Sequence, residues 1–193
     1  MSVQLLRRKF TVEEYHKMVE SEILTENDRV ELIRGEILEM SPIGTKHAAC
    51  VNRLVNLLVQ LLGKQVIVAA QNPVVLNNNS EPQPDVALLK HRDDFYETAH
   101  PQSEDIFLLI EVSDSTLMYD REEKIPLYAQ AKIMEVWLVD INSQTVEVYQ
   151  QPTDTGYQLR RKFTAGQNLT ILALPDVNIT VNQILVSPSL RFN

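Results

Sequence analysis

The run Ile106-Phe107-Leu108-Leu109-Ile110-Glu111-Val112 constrains this chain more than any other, because five large apolar residues follow one another without a polar break before the acid. A strand with one wet face alternates apolar and polar side chains, whereas an unbroken apolar run fits a strand buried on both faces. Such a strand needs a covering layer on each side of its sheet.

The rest of the sequence supplies those layers. From Lys46 to Leu62, the residues Cys50, Val51, Leu54, Val55, Leu58, Leu61 and Leu62 recur at steps of three and four, with Thr45 before and Gly63 after. That is the pattern of an amphipathic helix with a polar start and a glycine stop. Tyr119 to Ala131 is helical in composition, but Pro126 lacks a backbone N–H, so the spacing predicts that helix's first turn near Lys124 to Pro126. A shorter helix is expected over Phe10 to Val19, with Thr11 as its cap and Glu14 three residues on.

Strand-like runs occur at 65–70, 74–76, 85–89, 106–112, 136–140, 145–150 and 157–164. Arg29 to Ile33 and Glu36 to Met40 flank Arg34-Gly35, where glycine supplies the positive φ of a hairpin turn. The order of elements predicts an α/β fold with a mixed sheet, flanking helices, an added β-hairpin and further strands toward the C-terminus. A length of 193 residues suits one domain over 1–193, its core spanning about 29–165.

Composition enters mainly by exclusion. The hydrophobic fraction of 44% and the charged fraction of 23% are ordinary for a globular chain. A lone Cys50 forms no internal disulfide, and no close pair of cysteines or histidines stands near it to suggest zinc. No apolar run of signal-peptide type follows the basic start, and the stretch 54–62 is too short to cross a bilayer, so a cytoplasmic, unanchored protein is expected. A net charge of −8 repels polyanions, so any nucleic-acid contact has to be local. The sequence also lacks a G-x-S-x-G elbow, a phosphate-cradling glycine loop and an H-E-x-x-H helix.

What remains is acid chemistry at strand ends, where α/β sheets build their sites. Asp85, after Pro84, opens one apolar run and Glu111 closes another. Carboxylates that converge in a partly buried place repel each other unless they share a proton or bind a cation. Oxygen ligands of this kind suit Mg²⁺ or Mn²⁺, which polarise a phosphoryl oxygen, and a nearby lysine, with Lys124 the candidate, stabilises the charge of attack.

Pro84-Asp85 followed by Glu111-Val112-Ser113 resembles the PD-(D/E)XK nuclease motif, with Ser113 where that motif has lysine. The longer pattern VELIRGEI, His47, PQPDVALL, LLIEVSDST, YDREEKIPLYAQA and EVWLVD is similar to the Uma-two-type restriction endonuclease family, over roughly Glu31 to Asp140. In that family the missing lysine has moved to the following helix, at the position of Lys124. The resemblance implies a restriction-endonuclease-like core and a divalent-metal-dependent endonuclease acting on DNA phosphodiester bonds. Its site would comprise Asp85 and Glu111 as metal ligands, Lys124, and Glu31 from the hairpin.

Each of these residues also has a plainer reading. Asp85 and Glu111 could accept local hydrogen bonds only, Lys124 could belong to a solvated helix start, and Glu31 could be exposed. His47, in the first turn of the long helix, could meet a phosphate or merely cap, and Ser113 is a further candidate for substrate contact. Trp137 and Tyr128 read as core, and the basic triplets 7–9 and 160–162 as surface or as phosphate contacts at a site rim. A catalytically silent, dimerising module of the same fold is the alternative to the enzyme. A homodimer is expected of either, with 168–186 one candidate for its interface.

Overall fold

A computed structural model describes residues 7–25 and 27–185, so the leader reading at residues 1–6 and the last candidate interface residue, Val186, lie outside it. Along the chain come α1 (Val12–Glu20), the hairpin β1 (Val30–Ile33) and β2 (Glu36–Glu39), and α2 (Thr45–Leu62). Then follow β3 (Val66–Ala70), β4 (Val86–Lys90), β5 (Ile106–Ser113), α3 (Leu117–Tyr119), a π-turn (Asp120–Lys124) and α4 (Ile125–Gln130). The chain continues with β6 (Glu135–Asp140), β7 (Thr145–Thr153), β8 (Gly156–Phe163), β9 (Asn168–Ile171), β10 (Leu174–Thr180) and α5 (Val181–Ile184).

Six of these strands form one sheet in the order β3-β4-β5-β6-β7-β8. Only β5 and β6 run parallel, and the helical segment from Leu117 to Gln130 makes the crossover that a parallel pair requires. The apolar run of β5 sits at the centre, and alternation splits it between two cores. Leu108, Ile110 and Val112 pack with Leu54 and Leu58 of α2. Leu109 packs with Ile125, Leu127 and Tyr128 of α4. The mixed α/β architecture is therefore the one the sequence predicts.

Local chemistry accounts for most element ends. Thr11 Oγ1 accepts from the Glu14 N–H while Glu14 reaches back to the Thr11 N–H, closing the expected capping box. Gly35, at φ +76°, turns the β1–β2 hairpin, and its N–H donates to the Asn79 carbonyl at 2.7 Å. Its missing Cβ makes room for the N-terminal segment, since an added Cβ would stand 2.7 Å from Lys9 Cβ.

Four expectations need correction. Thr45 is the first residue inside α2 and Gly44 its cap. Residues 74–76 are not a strand, and Val75 alone among them forms an isolated bridge, with Gln102. Pro175-Asp176, a second Pro-Asp pair that the sequence alone reads as a turn, lies in β10 beside a β-bulge. The crossover helix starts at Leu117, well before Pro126, because the π-turn bonds the Ile125 N–H to the Asp120 carbonyl and brings Pro126 in at the start of α4.

Residues 168–185 fold back on the chain's own core, with Leu169, Ile171, Ile179, Val181 and Ile184 buried alongside α2. Among the described residues no helix is long and apolar enough to cross a membrane.

Candidate active site

The strand register brings the two acids together. Val86 pairs with Ile110, so Asp85, one residue back, and Glu111, one residue on, stand at the same end of neighbouring strands. Alternation puts Asp85 on the face of Ala87 and Glu111 on the face of Leu109, and both of those apolar residues belong to the core beneath α4. Asp85 Oδ2 accepts the Val112 N–H at 2.8 Å and meets His47 Nε2 at 3.0 Å, while Gln71 reaches its other oxygen at 3.4 Å.

Above Glu111 lies the helical crossover. Lys124 is buried, and its Nζ stands 3.3 Å from Glu111 Oε1 and 3.1 Å from Glu31 Oε2. The Tyr128 hydroxyl donates to Glu111 Oε1 as well. Glu31, in β1, is buried rather than exposed, and accepts the Gln83 N–H at 3.1 Å and the Tyr119 hydroxyl at 3.4 Å. The hairpin is tied to the crossover a second time, by Arg34 Nη1 to Glu123 at 2.8 Å.

Asp85, Glu111, Glu31, Lys124 and His47 all line one cleft of about 610 Å³. Ser113 does not line it. Ser113 is buried, and its hydroxyl donates to Asp120 Oδ2 at 2.6 Å, which takes it away from direct contact with any ligand. Of the basic triplets, Lys9 pairs with Glu36, Arg8 with Glu14 and Arg160 with Glu147, and none of these residues lines the cleft.

Acid outweighs base in this cleft. Burial pushes the Glu111 carboxyl up to about 8, with Asp85 and Asp120 adding repulsion against the opposing pull of Lys124 and Tyr128. Burial alone would lower Lys124, but Glu111, Glu31 and Asp120 prevail and its pKa is raised, so it stays an ammonium. His47 is raised above its usual value by the hydrogen bond to Asp85.

Sequence reasoning missed Asp120 and misread Tyr128 as core alone. Both lie four residues from Lys124, and that spacing places side chains on one helical face, so a signal was present. Gln71 and Gln83 sit in irregular segments and left no such trace.

The sheet with its crossover and the acid-lined cleft is a nuclease-like fold, and the comparisons with known proteins agree. A crystal structure of a putative nuclease belonging to DUF820 from Anabaena variabilis superposes with a TM-score of 0.68 at 16% identity, covering 91% of this chain and 97% of that one. The Uma2 family, described as "Putative restriction endonuclease", matches residues 12–182, and this chain belongs to that family. None of the curated proteins matches the chain.

Proposed function

We propose that this protein is a divalent-metal-dependent endonuclease that hydrolyses DNA phosphodiester bonds, with Asp85 and Glu111 as the ligands of Mg²⁺ or Mn²⁺. The observation that carries the reading is Lys124 Nζ, held by two buried carboxylates beside Asp85 at the end of the sheet. The donor set fits such an ion. It is all oxygen, it carries surplus negative charge, and among the described residues no hydrogen bond occupies Glu111 Oε2.

When bound, the ion would polarise a phosphoryl oxygen and offset the charge that gathers during attack. The chain's own groups prepare the rest. Tyr128 and Lys124 fix one oxygen of Glu111 and leave the other for the ion. Glu31 holds the Lys124 ammonium where it can orient a water and stabilise negative charge on the phosphate. His47 keeps Asp85 in place, and the hydrogen bond between them raises the pKa of its imidazole. Ser113 acts only through Asp120. Cleavage of both strands of a duplex calls for two such sites, which favours a homodimer.

The test is relaxation of supercoiled plasmid in Mg²⁺ or Mn²⁺. The wild type is expected to nick, and Asp85→Ala, Glu111→Ala and Lys124→Ala to lose at least about 100-fold in rate. Cleavage that persists unchanged in these variants contradicts the assignment. A wild type inert with both ions favours a silent module instead.

A further inference from the structure

Away from the cleft, three segments distant in sequence bring metal-ligating side chains to one place. His16 comes from α1, Glu81 from the irregular stretch before β4, and His100 from the loop before β5. Their ligand atoms all lie within 4.8 Å of one another. His16 Nε2 is 2.7 Å from Glu81 Oε2, and the His16 and His100 rings sit edge to face with centroids 6.0 Å apart.

We propose that His16, Glu81 and His100 form a second cation site, specific for a late first-row transition metal such as Zn²⁺ and separate from the acidic cleft. Two imidazoles and one carboxylate are a donor set suited to zinc, with a fourth position left to water. Mg²⁺ prefers oxygen ligands in octahedral geometry, so the two sites select different ions.

Burial strengthens the case. Glu81 is only 4% exposed, and a buried carboxylate needs a compensating charge. Among the described residues no lysine or arginine supplies it, and His16 is its sole ion-pair partner, a cation only when protonated. Tetrahedral zinc with bonds of about 2.0–2.1 Å sets its donor atoms about 3.3 Å apart, so His16 Nε2 and Glu81 Oε2, now 2.7 Å apart, would part slightly while the exposed ring of His100 closes in.

The site would also brace the backbone behind the cleft. The Glu81 N–H donates to the Leu32 carbonyl at 2.7 Å, next to Glu31, and Gln83 two residues on donates to Glu31 itself. An ion here would tie α1 and the loop before β5 to the strand that carries Glu31.

The experiment is titration of the metal-stripped full chain with Zn²⁺, and with Co²⁺ as a spectroscopic probe, in excess Mg²⁺ to occupy the cleft. Wild type should bind one equivalent, show Co²⁺ absorption bands and gain thermal stability. His16→Ala and His100→Ala should weaken binding by at least about tenfold, and both side chains are exposed enough for the variants to fold. Asp85→Ala should bind Zn²⁺ as the wild type does. The proposal is overturned if the wild type binds Zn²⁺ no more tightly than the double variant His16→Ala/His100→Ala, or if Asp85→Ala abolishes binding.

Discussion

Burying an ammonium costs several kcal/mol unless its partners are close and well placed, and Lys124 has Glu31 and Glu111 on either side of it. Removing it strands two buried acids. Lys124→Ala should therefore destabilise the metal-free protein by about 3–5 kcal/mol, measured by urea denaturation. A loss below about 1 kcal/mol would mean that the amine is effectively solvated. Tyr128→Phe tests a gentler change: the ring stays packed while Glu111 loses its hydroxyl donor, so Mg²⁺ affinity should drop by about 10–100-fold with the fold intact. At this scale the acids were legible because proline and an apolar run mark strand ends, and Lys124 because it stands in a family pattern. Tyr128 was not, because apolar neighbours on its helix face make a tyrosine look like packing until the hydroxyl's partner is known.

The elements that aim these side chains have their own weak points. Gly35 lets the N-terminal segment cross the hairpin that bears Glu31, so Gly35→Ala should cost more than about 1 kcal/mol and lower activity. An unchanged melting temperature would contradict that. The crossover is anchored through Arg121, which meets Glu147 of β7 at 2.9 Å, while Arg160 reaches the same oxygen at 2.7 Å. Burial opposes ionisation of Glu147, but hydrogen bonds from Tyr149, Arg160 and Arg121 prevail and hold its pKa below the ordinary 4.5. A depressed carboxylate stabilises fully above its unfolded pKa, and that contribution is lost as pH falls through the folded value. The melting-temperature gap between wild type and Glu147→Gln should therefore narrow as pH drops below 4.5, and a constant gap would show that the ion pairs contribute nothing. The sequence placed the crossover helix but not its start, since a rule that admits proline only in a first turn does not anticipate a π-turn ahead of Pro126.

At the scale of the whole molecule, the unbroken apolar run of β5 and the period of α2 were enough to predict layers on both faces of a mixed sheet. What the C-terminal strands cover was not legible, because an apolar stripe looks the same whether it meets another subunit or the chain's own α2. The triad of His16, Glu81 and His100 was invisible for a related reason, as its members are too far apart in sequence to show any ligand spacing. The central claim is that the fold concentrates surplus acid at one sheet end to hold a single hard cation beside Lys124. Calorimetric titration with Mg²⁺ tests it most directly. The account predicts one bound ion in the wild type and none in Asp85→Asn, with the variant still folded, and equal binding by both proteins would contradict it.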